Sequence, residues 1–244
     1  MCVLTYIPTS DSGFVLTSNR DESVFRSPAK PPQKYTLHGH SIFFPQDPQS
    51  SGTWIASDGI FTLCLLNGGL QKHIPNPPYR QSRGKVILDF YQFYDPEKFI
   101  QHYNFEGIEP FTLVIIKRDE RLPLFEIRWT GTQLIRQEFP RNKVRIWSSV
   151  TLYTAETIQK RTQWFSHFLS DNQPISSEKM IHFHHTGGDG DSTNDIKMNR
   201  ENKLKTISIT QFEVSDENFL IRYEDLFTNK TYHYRVFMEH EQSC

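Results

Sequence analysis

The chain has no long apolar run, little cysteine and almost no net charge. None of its hydrophobic stretches approaches the ~20 residues that a membrane-spanning helix needs, so we expect no transmembrane segment. A net charge of −1 at pH 7 gives no global attraction to nucleic acid or to an anionic membrane. The three cysteines, Cys2, Cys64 and Cys244, form no Cys-x-x-Cys pair, which argues against a disulfide framework and indicates a reducing compartment.

The amino terminus lacks the basic region followed by an apolar one that marks a secretory signal, so we expect a cytoplasmic protein. The 244 residues contain no internal repeat and are enough for one large core. Residues 1–244 are therefore predicted to form a single domain. Nineteen Phe and ten Tyr predict a sheet-rich interior packed with aromatic rings.

Hydrophobic alternation predicts ten or eleven strands. Residues 3–7 and 13–18 are predicted to form one hairpin, and residues 52–57 and 60–66 a second one across an Asp-Gly turn. Residues 23–51, rich in Pro, Ser and Gln, are predicted to be mostly loop with short extended pieces near 34–35 and 42–44. The remaining predicted strands are 111–116, 124–129, 132–137, 144–148, 204–212, 218–223 and 231–238.

Helical periodicity marks four segments between these strands. They are residues 84–94, 95–103, 155–169 and 176–184. Residues 185–203 are predicted to be a polar loop. This order predicts an α+β fold with mostly antiparallel sheets, and periodicity alone specifies no more than that.

Cys2 is the residue with the most distinctive chemistry. Removal of Met1 is favoured before a small residue and would leave one residue with both a thiol and a free α-amine. Their reference pKa values, about 8.5 and about 8, allow the amine to accept the thiol proton near neutral pH. Arg20 and Asp21 follow the second strand of the first hairpin, which is predicted to bring a cation and a carboxylate beside Cys2. The alternative is that Cys2 is a small buried residue and that the charged run is a solvated turn.

Five features resemble the NRDE family, also called the transport and Golgi organisation protein 2 family. In chain order they are Cys2, Asn19-Arg20-Asp21-Glu22, Arg26-Ser27-Pro28, Gly52-Thr53-Trp54 and Asn67. The resemblance is dense over about the first seventy residues. That family is similar in turn to N-terminal nucleophile (Ntn) cysteine hydrolases, among them bile salt hydrolases and penicillin V acylases. The resemblance implies a four-layer αββα sandwich of two mostly antiparallel sheets flanked by helices.

The resemblance also implies roles for particular residues. Arg20 and Asp21 match an Arg and an Asp that flank the nucleophile, and Asn67 matches an Asn that binds the oxyanion. An equally open reading of Asn67 is a turn residue before Gly68-Gly69. Asn19 is a further candidate for oxyanion or substrate binding, or holds the turn.

Two departures from the hydrolase pattern follow later in the chain. Ser149 stands where those hydrolases carry another Asn, and its hydroxyl has a shorter reach. Arg200 and Lys203 are the nearest candidates for a late Arg, and a lysine lacks the planar guanidinium fork. Both departures argue against hydrolysis of the family's usual amides, but they leave the nucleophile in place.

A second polar cluster lies in the predicted loop and the helix before it. His182, His184 and His185 precede Asp189, Asp191, Asn194 and Asp195, which are residue types that bind metals. The spacing matches neither a calcium loop nor a fixed zinc trio, since His182 and His185 share a helical face without a third partner. We therefore predict no metal site and interpret the segment as a polar loop bordering the active site.

The function predicted is an N-terminal cysteine hydrolase or acyltransferase acting on an amide or thioester carbonyl. Such a reaction requires no metal or organic cofactor. The alternative is a non-catalytic binding or trafficking protein on the same fold, for which the family resemblance implies lipid or haem as ligand. In that case Cys2 or the histidines at 182–185 would contact the haem iron. The expected partner is thus a small molecule, namely an amide, an acyl thioester, a lipid or haem.

Overall fold

The computed structural model describes residues 3–9, 13–119 and 123–237. These residues contain fourteen strands and four helices, arranged as two seven-stranded sheets. Neighbouring strands within both sheets pair antiparallel. The predicted α+β class and sandwich architecture are confirmed.

Sheet I carries both ends of the described chain. Its strand order is β10-β1-β2-β12-β13-β14, with the short β11 paired to β12. The strands are β1 (Val3–Pro8), β2 (Phe14–Ser23), β10 (Arg145–Ser148), β11 (Asn199–Arg200), β12 (Leu204–Val214), β13 (Asn218–Asp225) and β14 (Lys230–Phe237).

Sheet II is a meander in which every strand pairs with the next one along the chain. Its strands are β3 (Lys30–Leu37), β4 (His40–Gln46), β5 (Ile55–Ser57), β6 (Phe61–Asn67), β7 (Phe111–Lys117), β8 (Leu124–Trp129) and β9 (Leu134–Phe139). Two pairs of helices cover the outer faces. Helices α1 (Arg83–Phe93) and α2 (Pro96–His102) lie on sheet II, and α3 (Ala155–Asp171) and α4 (Ser177–Thr186) lie on sheet I.

Strand alternation divides the apolar side chains among three buried layers. In β6, Leu63 and Leu65 pack with the helices on sheet II, whereas Cys64 and Leu66 pack between the two sheets. In β1, Leu4 likewise faces sheet II, and Val3 packs under the helices on sheet I. Because successive side chains of a strand point to opposite faces, each inner strand contributes to two layers. The result is a four-layer αββα sandwich.

The prediction that residues 23–51 are mostly loop is wrong. Lys30–Leu37 and His40–Gln46 form a hairpin whose first strand is an edge of sheet II. Pro31 and Pro32 led to the prediction of a loop, because proline is avoided in central strands. Proline is tolerated at an edge or a bulge, which is where this strand has it. The register shift between Lys30 and Gln33 lies at those two prolines.

Other predicted boundaries agree to within a few residues, and two points complete the comparison. The predicted polar loop at 185–203 contains the two-residue strand β11. The turn of the first hairpin was predicted near Asp11 to Gly13, and residues 10–12 of it lie outside the described residues. Across the described ranges, none of the helices combines the length and the hydropathy needed to cross a bilayer.

Candidate active site

The first hairpin forms as predicted, and its register fixes the start of β1. Val3 pairs with Asn19 of β2 on one side and with Ser148 of β10 on the other. Arg20 and Ser149 are therefore the residues that follow these two partners along the chain. Cys2, the predicted nucleophile, lies outside the described residues.

Arg20 and Asp21 are adjacent in β2, and strand alternation sends their side chains to opposite faces of sheet I. Arg20 contacts Asp47 and Trp54 of the sheet II half of the molecule. Asp21 contacts Tyr153, in the segment that leads into α3. Both side chains are buried, at 4% and 3% exposure. Arg20 thus places a cation between the two sheets, near the start of β1. Asp21 places a carboxylate on the opposite side of sheet I, which helices α3 and α4 cover.

The Arg20 guanidinium is fixed by three contacts. Its Nη2 donates to Asp47 Oδ2 at 2.5 Å, and its Cζ lies 4.4 Å from the centre of the Trp54 ring. Glu22 is 4.0 Å from the same nitrogen. Arg26 binds both oxygens of Asp47, with Nε 2.6 Å from the same Oδ2 and Nη2 3.1 Å from Oδ1. The Arg20 Nη1 atom is buried and has no hydrogen-bond partner in the described part of the chain.

Burial and neighbouring charges have opposite effects on the pKa values of Arg20 and Asp47. Burial lowers the pKa of Arg20 from its ordinary value, and the carboxylates of Asp47 and Glu22 oppose that change. Burial by itself raises the pKa of Asp47, but hydrogen bonds from Arg26 and the Ser50 N–H, together with the two guanidinium charges, hold it below its ordinary value. Asp47 therefore stays ionised and keeps the Arg20 guanidinium charged and oriented.

Asp21 accepts hydrogen bonds from two hydroxyl groups. Tyr153 Oη lies 2.7 Å from Oδ2, and Thr206 Oγ1 lies 2.6 Å from Oδ1. Thr206 is also the register partner of Asp21 in β12. The Tyr153 ring lies beneath two guanidinium groups, with Arg161 Cζ 3.6 Å and Arg200 Cζ 5.1 Å from its centre. These contacts fix the orientation of the Tyr153 phenol, which in turn orients the Asp21 carboxylate.

Asn67 and Ser149 meet where the two sheets approach each other. Ser149 Oγ donates to the Asn67 backbone oxygen at 2.7 Å, and Thr151 Oγ1 donates to the same oxygen at 3.1 Å. The Ser149 hydroxyl is thus engaged with the main chain. No described residue hydrogen-bonds the side-chain amide of Asn67, which lines the cavity beside Arg20.

This cavity has a volume of about 120 Å³ and lies between the end of β2, the end of β6 and the start of α1. Its described lining is mostly polar or charged. The lining residues are Arg20, Glu22, Arg26, Asp47, Ser50, Thr53, Trp54, Leu65, Asn67, Ser82, Arg83 and Gly84. A backbone approach closes one wall, since a Cβ placed on Gly52 would lie 2.6 Å from the carbonyl carbon of Gly84.

Asn19 faces away from this cavity and binds helix α4. Its Nδ2 donates to the backbone oxygens of His184 and Ile196, at 3.1 and 2.9 Å, so its Oδ1 is the acceptor for His184 Nδ1 at 2.7 Å. Thr5 Oγ1 lies 2.8 Å from the other ring nitrogen, Nε2. Burial, with smaller effects from His185 and Arg161, lowers the pKa of His184 to about 3. A neutral imidazole therefore ties β1 and β2 to the helix.

The two candidates for the late arginine occupy different environments. Arg200 donates to the Leu152 and Thr193 backbone oxygens and reaches the Asp21 cluster through the Tyr153 ring. The Lys203 side chain is 74% exposed and pairs with Glu201, outside the lining of the cavity.

The polar residues of α4 and of the loop that follows it are held by contacts with other residues of the protein. His184 binds Asn19, His185 Nε2 lies 2.6 Å from Glu224 Oε2, and Asp195 accepts the backbone N–H groups of residues 189 and 190. In the part of the chain that the structure describes, no three His, Cys, Asp or Glu residues are grouped closely enough to hold a metal ion.

The sequence interpretation did not identify four residues of the site as such: Asp47, Tyr153, Thr206 and His184. Asp47 lay in the segment predicted to be loop, and Tyr153 and Thr206 are separated from Asp21 by 132 and 185 positions. His184 was considered only as a ligand of a metal ion or of haem iron. Trp54 was recognised as part of the Gly52-Thr53-Trp54 motif, but not as the ring under Arg20.

Comparison with known proteins finds a solved structure with a similar fold and a matching family. Penicillin V acylase from Agrobacterium tumefaciens is similar in structure, with a TM-score of 0.57 over 97% of this chain and 86% of the acylase chain. The sequence identity is 9%, so this likeness establishes the fold alone. No match was found among curated protein sequences. The family described as transport and Golgi organisation 2 matches residues 1–235, and the chain therefore belongs to that family.

Proposed function

We propose that this protein is an N-terminal cysteine hydrolase or acyltransferase that acts on an amide or thioester carbonyl after removal of Met1. The observation that carries the proposal is the pair at the end of β2, where a buried, oriented Arg20 and a hydroxyl-bound Asp21 follow the residue that pairs with Val3. The Ntn-hydrolase fold of the structural neighbour is consistent with it. Haem or lipid binding without catalysis stays a prediction from the family resemblance.

Arg20 is suited to stabilising a thiolate. Consecutive Cα atoms are about 3.8 Å apart, so residue 2 is one such step from Val3, the partner of Asn19. In β1 the even-numbered Leu4 and Tyr6 face sheet II, as Arg20 does in β2. A nearby guanidinium lowers the pKa of a thiol, and the unpartnered Nη1 supplies a donor.

Asp21 is suited to holding the ammonium that forms when the α-amine accepts the thiol proton. Its carboxylate is on the opposite face of β2 from Arg20. The thiolate would therefore have Arg20 as its partner, and the α-ammonium would have Asp21. Two O–H donors at 2.6 and 2.7 Å fix the orientation of this buried carboxylate. Asn67 Nδ2, which lines the cavity beside Arg20, is suited to donating to the oxyanion.

The reaction proceeds in two steps. The Cys2 thiolate attacks the carbonyl carbon, a C–S bond forms, and the C–N or C–S bond to the leaving group breaks as the α-ammonium returns its proton to that group. The resulting acyl-enzyme is a thioester of Cys2. Water then attacks the acyl carbon in hydrolysis, or an acceptor nucleophile attacks it in acyl transfer, and the α-amine takes the proton of the attacking group. The C–S bond to Cys2 breaks, which releases the acyl product and restores the thiolate and the α-ammonium.

The test is acylation of Cys2 in the protein with its native terminus. Intact mass establishes whether Met1 is absent, and a carbonyl-directed electrophile such as a β-lactone should then add one equivalent at Cys2. Peptide mapping locates the adduct. Cys2→Ala should abolish it, and Cys64→Ala should not.

Two outcomes would refute the proposal. One is a protein that retains Met1, because the acylated α-nitrogen of a peptide bond cannot serve as the base. The other is an adduct that forms at the same rate in the Cys2→Ala variant.

A further inference from the structure

We infer that the cavity beside Arg20 takes a short acyl group that carries its own carboxylate, such as a succinyl group. This inference deepens the proposed function and rests on it for the reaction, but not for binding. Three features of the cavity carry it: its volume, the polarity of its lining and the excess of hydrogen-bond donors over available acceptors.

The volume accommodates a short acyl group. A cavity of about 120 Å³ holds several water-sized groups, since one water needs about 10–15 Å³ of such space. The few heavy atoms that follow the carbonyl carbon in a four-carbon acyl group therefore fit within it.

The lining disfavours an apolar occupant. Among the described lining residues, Trp54 and Leu65 contribute the large apolar side chains, and the charged groups of Arg20, Arg26 and Asp47 surround them. An alkyl chain placed there would strip water from these charges without replacing its hydrogen bonds, which is unfavourable. A polar occupant can replace those bonds.

The donors and acceptors around the cavity indicate the sign of its charge. The main acceptor, Asp47, is already engaged by Arg20, Arg26 and the backbone N–H groups of residues 49 and 50. The described lining carries three guanidinium groups, those of Arg20, Arg26 and Arg83, against the two carboxylates of Glu22 and Asp47. An occupant rich in acceptor oxygens satisfies such a site.

Helix α1 adds to this preference. It begins at Arg83 on the cavity wall, is capped by Ser82, and has no acidic residue in its first turn. Its N-terminus therefore presents partial positive charge to the cavity without a carboxylate of its own. Arg83 pairs with Glu109 at 2.9 Å from outside the lining, which orients its guanidinium. Glu22, the second lining carboxylate beside Asp47, would oppose an anion, and it lies 3.7 Å from Arg26.

The experiment compares four p-nitroanilides that differ only in the acyl group: succinyl, its neutral analogue succinamoyl, the cationic 4-aminobutyryl, and octanoyl. Release of p-nitroaniline gives kcat/KM. We expect succinyl to be the fastest of the four. Arg83→Gln should lower the ratio of succinyl to succinamoyl about tenfold, the effect of losing one charge-assisted contact. Lys85→Gln, the same charge change on an exposed residue of α1 outside the cavity, should leave the ratio unchanged.

A binding measurement separates this inference from the reaction. Calorimetric titration of succinate into the Cys2→Ala variant should give saturable binding that Arg83→Gln weakens at least about fivefold and Lys85→Gln does not. Binding of succinate by a protein that retains Met1 would refute the proposed function and leave the carboxylate site standing. Turnover in which succinamoyl, 4-aminobutyryl or octanoyl matches succinyl, or an absence of succinate binding, would overturn the inference.

Discussion

His184 should make the stability of the protein fall between pH 7.5 and pH 5. The side chain is fully buried and its pKa is lowered to about 3, mainly by burial. In the unfolded chain a histidine has a pKa of about 6.5. Between these two values the unfolded state binds a proton that the folded state does not, so the free energy of unfolding decreases as the pH falls.

The magnitude follows from the proton taken up by the unfolded chain. Each pH unit below 6.5 removes about 1.4 kcal/mol until the folded-state pKa is reached, so lowering the pH from 7.5 to 5 costs about 2 kcal/mol. Asp47 contributes little in this window. Its pKa is lowered in the folded state, and the stability that it confers is lost only at the lower pH where carboxylates become protonated.

Urea unfolding at the two pH values, followed by circular dichroism, measures this change. His184→Asn retains a donor for Asn19 and removes the titrating group, so its decrease in stability over the same interval should be smaller by about 2 kcal/mol. His182→Asn, an exposed position on the same helix, should behave as the wild type does. Equal losses in the wild type and in His184→Asn would refute the reasoning.

Three further variants or probes test the contacts of the site. Arg20→Lys loses the guanidinium hydrogen bond to Asp47 and the stacking on Trp54. Alkylation of Cys2 by iodoacetamide at pH 7 should therefore slow about tenfold in this variant, whereas Lys203→Gln should not change it. Tyr153→Phe removes one donor to Asp21 and should lower the free energy of unfolding by about 2 kcal/mol in urea, and an unchanged midpoint would contradict the contact. Burial raises the pKa of Cys64, so the native protein should protect that thiol from iodoacetamide at pH 8 at least about 100-fold relative to the protein in urea, as peptide mapping would show.

The fold was predictable where the pattern of the sequence is local. Alternation placed the strands of the first hairpin and of β6 to β8, and the helical period placed α1 to α4 to within a few residues. The same alternation requires Arg20 and Asp21 to face opposite sides of β2. The β3–β4 hairpin was missed because its prolines resemble a loop, and only the neighbouring strand shows that β3 is an edge, where prolines are tolerated.

The sequence by itself determined which residue types stand at the end of β2 and on which face each one lies, because strand periodicity and covalent connectivity are properties of a short segment. Only the tertiary structure decided what those side chains meet. Asp47 reaches Arg20 across the two sheets, and Tyr153 and Thr206 reach Asp21 from positions more than a hundred residues away. These contacts depend on how the sheets stack and on the register of β12 against β2, which no local pattern specifies.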